Sequence, residues 1–315
     1  MSQLVPHGVP APGTSPDDPR IGRWLAEAAS VTERTEVVLL GFPTDAGVAR
    51  NGGRPGASEA PRSIREALYK MTPDALAPAA FSRLLERTAD LGDVPTTGDV
   101  ERDQQALAEA LAPHLGQRRV IVLGGGHETA YGHLLGYVVA NRDVHALNWD
   151  AHPDVRETRP EGGHSGSPFR QALEHPSGRI RSYSVAGLLP WRVAAAHAEW
   201  LRQRGGRILW RDDLTREAVG PFVVGTPGPA MASFDIDAVE AGAAPGVSAP
   251  GVGGMPVQTW LLAAETCGRA AHIESFEVVE TNPRVDPDGR TATLAALTVW
   301  HLLRGLAARL DEGSE

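Results

Sequence analysis

The stretch RRVIVLGGGHETAYGHLLGYVVANRDVHALNWDAHPD, residues 118–154, decides the fold. RRVIVLGGG reads as an apolar, β-branched strand that runs out into glycines. His127–Asn141 continues as a helix, and Val144–Asp150 (VHALNWD) is a second strand. Strand, helix and strand in succession predict parallel pairing, because a parallel partner is reached only through a long crossover. The same alternation extends outward. Upstream lie a strand at Glu36–Gly41 and a helix in SEAPRSIREALYKM, opened by Ser58 with Pro61 tolerated in its first turn. A Pro/Ala-rich link, a short strand in ADLGDV and a helix over Glu101–Leu115 follow. Downstream, RIRSYSVAG, RILW, AMASFDID and AHIESFEVVE read as strands, separated by helices at Arg192–Arg204 and Val257–Cys267. A last helix covers Ala292–Leu310. The expected fold is α/β, a three-layer α-β-α arrangement around a mostly parallel central sheet.

Residues 1–20 stand apart. MSQLVPHGVPAPGTSPDDPR has five prolines and no apolar run, so it reads as a disordered arm and not as a signal peptide. With no internal repeat and no linker beyond the arm, residues 21–315 read as a single catalytic domain. The 315-residue chain carries a net charge of −9, which argues against a sequence-independent nucleic-acid binder. No apolar run is long enough to span a membrane. The one cysteine, Cys267, cannot build an intrachain disulfide and reads as a small buried apolar residue, in keeping with a cytoplasmic location. A small-molecule substrate and a homo-oligomer are the expected partners.

In an open parallel sheet, ligands gather beyond the carboxyl ends of the strands. Acids and histidines fall there. GGGHE follows VIVL, DAHPD follows ALNW, DID closes MASF, and Glu280 closes IESFEVV. In DAHPD, Asp150, His152 and Asp154 alternate at a spacing of two, so just past a strand their side chains can point the same way. Asp235 and Asp237 repeat the spacing, and His127 adds an imidazole. Four carboxylates and two imidazoles suit manganese and similar divalent ions. Brought together without cations, four carboxylates would repel strongly. Each motif alone has a plain alternative: a polar loop, an acidic strand end, or a tight turn with a core histidine. Their placement on separate strand ends is what points to a metal site.

These residues resemble the arginase/agmatinase (ureohydrolase) family, whose motifs GG-x-H, D-A-H-x-D and S-x-D-x-D stand here as GGGH (124–127), DAHPD (150–154) and SFDID (233–237). The resemblance runs from about Gly41 to about Leu310. It is closest to the formimidoylglutamase branch, through GFPTDAGVARNGGRPGASEAP, DAHPDVR, SGSPFRQ, APGVSAP and ETNPRVDPDGRTA. The chain departs from the pattern at Pro153, where that branch has an aromatic residue, and at Glu240 and Ala241, where many relatives carry Asp-Pro. The arginase proton-shuttling histidine has no counterpart; Ser165 aligns with it and His164 lies one residue earlier.

The resemblance implies an arginase-like fold and two Mn2+ per subunit. His127, Asp150, Asp154 and Asp235 would hold one ion, and Asp150, His152, Asp235 and Asp237 the other, so that Asp150 and Asp235 bridge. It implies hydrolysis of N-formimidoyl-L-glutamate to L-glutamate and formamide, as in histidine degradation, by a hydroxide shared between the ions. Asp154 is the expected proton carrier and Glu280 the carboxylate partner of the cationic amidine. Arg156 is the candidate to grip a substrate carboxylate as a bidentate fork, with Arg54 a second candidate. His164 is a candidate proton relay, while His133 and His145 read as structural. Two other readings stand beside this one: an amidinohydrolase releasing urea from a guanidino compound, and a catalytically silent binding protein of the same fold.

Overall fold

Four strands that are far apart in sequence lie side by side at the centre of one sheet. The computed structural model describes residues 4–26 and 30–312. Its strands are β1 (Val37–Phe42), β2 (Thr88–Asp93), β3 (Arg119–Gly124), β4 (Val144–Trp149), β5 (Ile180–Leu188), β6 (Arg207–Trp210), β7 (Ala230–Asp235) and β8 (Ile273–Val279). Their order across the sheet is β2-β1-β3-β8-β7-β4-β5-β6, and every neighbouring pair is parallel. The chain builds outward from β1 to β2, returns through β3, jumps to β4 and builds outward again. It then fills the gap with β7 and β8. The carboxyl ends of β3, β8, β7 and β4 therefore face one another, and these strands carry the motifs read above.

Alternate residues of each strand enter different layers, as the strand period of two requires. In β1, Val37 and Leu39 join a core with the helices Ala60–Leu68, Pro78–Leu85, Val257–Arg269 and Arg290–Glu312. Val38 and Leu40 join a second core with the helices Val100–Leu111, Thr129–Val139 and Pro168–Leu173. This is the two-sided burial that makes a parallel strand a continuous apolar run. The two last helices cross at a pair of glycines. A Cβ at Gly268 would sit 2.3 Å from the Leu302 carbonyl oxygen, and one at Gly305 would sit 2.2 Å from that of Glu265. Cys267, beside this crossing, is fully buried, and burial pushes its thiol up to about 12. Its structural reading holds.

The N-terminal segment differs from expectation. Residues 1–3 lie outside the described part, but Val5 pairs with Asp93 through two backbone hydrogen bonds of 2.9 and 2.8 Å. Val9 is buried, and the His7 ring stands edge-on to Tyr69 at 5.7 Å. The open edge of β2 offers unpaired N–H and C=O groups, and proline does not prevent extended packing against them. Composition registered the prolines and missed the edge. The Pro/Ala-rich link likewise contains a helix, Pro78–Leu85, with its proline in the first turn where proline is tolerated.

A buried ion pair, unmarked by any motif, anchors the helix Ala60–Leu68 on β2. Arg65 is fully buried; its Nε and one terminal nitrogen donate to the two Asp90 oxygens at 2.7 and 2.8 Å, and its other nitrogen donates to Asp93 at 2.6 Å. Tyr69 adds a hydroxyl donor to Asp90 at 2.8 Å. No described helix is long and apolar enough to cross a membrane.

Candidate metal centre

Beyond β3 the backbone turns sharply beneath Thr44. A Cβ at Gly125 would lie 1.8 Å from the Thr44 carbonyl oxygen, so the turn tolerates no side chain there. The turn delivers His127 over the ends of β7 and β4. Its Nδ1 lies 2.9 Å from Asp154 Oδ2, 2.9 Å from Asp235 Oδ2 and 3.3 Å from Asp150 Oδ2. A second group forms around His152, whose Nδ1 lies 3.2 Å from Asp237 Oδ2 and 3.5 Å from Asp150 Oδ1. The ligand atoms of His127, Asp150, Asp154 and Asp235 all lie within 4.8 Å of one another, as do those of Asp150, His152 and Asp237. Both groups contain Asp150. Asp235 belongs to the first group only; its other oxygen, Oδ1, accepts the Asp237 backbone N–H at 2.9 Å.

The residues fit divalent cations on two independent grounds. His127 Nδ1 is buried and close to three carboxylates, yet it makes no hydrogen bond, and neither does the buried Asp237 Oδ1. Atoms that converge without bonding one another are arranged as ligands. The electrostatics agree. Burial, then the neighbouring Asp150, raises the Asp154 carboxyl, and burial, then Asp237 and Asp150, raises Asp235 well above its usual range. Burial opposes a charged imidazole at His127 and His152, but the surrounding carboxylates outweigh it and raise both. The negative charge crowded here exceeds what two histidines can neutralise.

Asp154 and Glu280 both adopt positive φ, 46° and 66°. Non-glycine residues held in the left-handed region concentrate at functional sites, and here the strained backbone turns both carboxylates toward a cavity of about 90 Å3. Glu280 is buried, and its Oε1 accepts the His127 backbone N–H at 2.8 Å. Burial, then the nearby Glu128, pushes it up to about 8. Arg156 also lines the cavity and touches Asn51 Oδ1 at 3.4 Å. A roomier cleft of about 240 Å3 opens between Val37, Arg118, Arg119 and Arg309, and it contains neither histidine–carboxylate group.

Two expected residues are placed elsewhere. Arg54 points its guanidinium at backbone carbonyls, with Nε donating to Ser248 at 3.0 Å and a terminal nitrogen to Val247. It ties the glycine-rich loop to the loop after DID and does not line the cavity. His164 has both ring nitrogens engaged by backbone: Nδ1 accepts the Gly166 N–H at 3.1 Å, and Nε2 meets the Glu157 carbonyl at 3.0 Å. That leaves no nitrogen to relay a proton. His145, as expected, is structural, with Nδ1 on Ser182 Oγ at 2.7 Å.

Sequence reasoning missed three supporting residues, Asn148, Tyr183 and Arg192. Asn148 donates to Asp150 Oδ2 at 2.9 Å and to the Tyr183 hydroxyl at 3.0 Å, and Tyr183 in turn donates to the Pro153 carbonyl. Arg192, just past β5, reaches His152 Nε2 at 3.3 Å and holds the carbonyls of Ala249 and Pro250. Its place beyond a strand's carboxyl end was the available signal.

Residues 35–304 match the model of the arginase family. Formimidoylglutamase from Citrobacter koseri is 36% identical over 279 residues, covering 86% of each chain. The Salmonella schwarzengrund enzyme of the same name is 35% identical over 274 residues, 85% of this chain and 84% of its own. Among solved structures, Trypanosoma cruzi formiminoglutamase with Mn2+ superposes with a TM-score of 0.83 at 27% identity, over 93% of this chain and 100% of that one. Arginase from Bacillus subtilis superposes with a TM-score of 0.71 at 26% identity, over 85% of this chain and 98% of that one. The fold, the strand-end motifs and these likenesses agree, and the chain belongs to the arginase family.

Proposed function

We propose that this protein hydrolyses N-formimidoyl-L-glutamate to L-glutamate and formamide, with His127, Asp150, Asp154, Asp235, His152 and Asp237 holding two divalent ions. The carrying observation is the pair of buried histidine–carboxylate groups that share Asp150, facing a cavity with Glu280 on one side and Arg156 at its rim. Carboxylate-rich donors with two imidazoles favour manganese, and the relatives' name and the Mn2+ in a structural neighbour support the substrate and the ion. Bound there, the ions would supply Lewis-acid activation of water at neutral pH.

The chain's own residues do the rest. Glu280 presents a carboxylate to the cationic amidine and holds the formimidoyl carbon over Asp154. Water oxygen adds to that carbon, and the bond from carbon to the glutamate nitrogen breaks. Asp154 takes the water's proton and returns it to the departing nitrogen, a general base that becomes a general acid. Arg156 offers its guanidinium to a substrate carboxylate, a pairing that arginine and agmatine cannot answer with a side-chain acid.

The test is an assay of manganese-loaded protein against formimidoylglutamate, arginine and agmatine side by side. Formamide from the first alone is expected; urea from either of the others would replace this reading with a guanidino-directed one. Arg156→Ala should raise KM for formimidoylglutamate about 10–100-fold, the worth of a charged hydrogen bond, with metal content unchanged. An unaltered KM would remove Arg156 from the substrate site.

Metal binding should also release protons. Burial opposes the charged form of both imidazoles in the metal-free chain, but the surrounding carboxylates outweigh it and raise them above 6.5, which favours protonation. Their contribution to stability is full below the unfolded value near 6.5 and is lost as pH climbs through the raised folded values. An ion displaces these protons. Calorimetric titration with Mn2+ at pH 7, in buffers of differing ionisation enthalpy, should show a net release of protons on binding. A buffer-independent heat would contradict this.

A further inference from the structure

Behind His127, on the side away from the carboxylates, runs a buried polar chain. His127 Nε2 lies 3.0 Å from Ser233 Oγ, and Ser233 Oγ donates to Glu277 Oε1 at 2.7 Å. Glu277 Oε2 meets His133 Nδ1 at 2.9 Å. Ser233, Glu277 and His133 are all fully buried. Ser233 and Glu277 are direct partners in the parallel register of β7 and β8, and the helix Thr129–Val139 lays His133 over them. His133 stacks on Tyr137 at 6.4 Å. A carboxylate with two buried polar contacts and, among the described residues, no arginine or lysine partner is costly to place in a core.

The polarity of this chain is set from its far end. Both oxygens of the Glu277 carboxylate accept, so Ser233 must donate its one proton there. Ser233 then accepts from His127, which keeps a proton on Nε2 and makes Nδ1, facing Asp150, Asp154 and Asp235, the nitrogen available to an ion. His133 Nδ1 supplies the second proton to Glu277. The other ligand imidazole has no such support, since His152 Nε2 faces Arg192.

We propose that Ser233, Glu277 and His133 are positioning residues that fix His127 in its metal-binding tautomer and thereby set the affinity of the His127 ion apart from that of the His152 ion. This rests on the two-ion reading above. Outer partners of ligating imidazoles are worth about 10–100-fold in metal affinity, and here the effect falls on one ion of two.

Stepwise Mn2+ affinities, measured by chelator competition on native protein, Glu277→Gln, Ser233→Ala and Ser233→Thr, test the proposal. Glu277→Gln and Ser233→Ala should each weaken one of the two binding constants about 10–100-fold and leave the other unchanged. Ser233→Thr, which keeps the hydroxyl, should restore it. Metal-free melting temperature is read alongside. Should Glu277→Gln fail to fold, Ser233→Ala carries the same expectation with only a hydroxyl removed. Two constants that stay unchanged, or that fall together, overturn the proposal while leaving the proposed function standing. A native chain that takes up fewer than two ions overturns both.

Discussion

Asp150→Ala is expected to leave a folded chain that binds neither ion with useful affinity and turns over substrate on the order of a thousandfold more slowly, or less. The reason is geometric. Asp150 is the one residue common to both histidine–carboxylate groups, with Oδ2 toward His127 at 3.3 Å and Oδ1 toward His152 at 3.5 Å. Its orientation is over-determined by the Asn148 amide and the His152 backbone N–H, at 2.9 and 2.6 Å. Burial alone would raise its carboxyl, but His127 and His152 hold it well below the usual carboxylate range, so it is the ready anion of the cluster. A metal's share of transition-state stabilisation is several kcal/mol, and each ~1.4 kcal/mol is about tenfold in rate. Orphaning the Asn148 amide costs about 1–3 kcal/mol of stability, which a melting curve separates from the catalytic loss. His152→Ala should be milder in metal content, because the group around His127 survives it. Two ions per chain by elemental analysis of Asp150→Ala, with turnover near the native rate, would dismiss the shared-ligand centre.

The strand-end logic that made Asp150 legible in the sequence explains what was read well and what was not. Candidate ligands that sit one to five residues past an apolar run inherit their position from the strand, and parallel topology brings the ends together. His127, Asp150, His152, Asp154, Asp235 and Asp237 all belong to this class. Arg54 and His164 sit in loops, where the partner that claims a side chain is set by tertiary contacts: the carbonyls of Val247 and Ser248 for one, Gly166 and Glu157 for the other. His133 read as structural because its partner Glu277 lies 144 residues away in sequence, beyond the reach of any spacing rule. The packed N-terminal segment and the helix Pro78–Leu85 were hidden by proline content, which registers what a segment cannot pair with and not where it lies.

Glu280 carries the other large expected effect. Glu280→Gln should lower kcat/KM for formimidoylglutamate by on the order of a hundredfold or more while both ions remain bound. Losing one partner of a buried charge pair costs about 2–5 kcal/mol, and Glu280 is the buried acid that lines the cavity without belonging to either ligand group. Its Oε1 is already committed to the His127 N–H, a bond that the glutamine carbonyl can keep. The substitution therefore removes charge with little change of shape. Burial and the neighbouring Glu128 make its ionised form costly in the empty cavity, and in the proposed function a cationic amidine would offset that cost and pair the charge. The loss should fall on cationic amidines in particular. A carboxylate that acted only as a brace for His127 would let Glu280→Gln bind and turn over substrate normally, and that result would remove Glu280 from substrate recognition. If instead the variant loses an ion, the residue belongs to the metal centre. Retained metal together with a collapsed kcat/KM is the expected outcome for a buried carboxylate that lines the cavity outside both histidine–carboxylate groups.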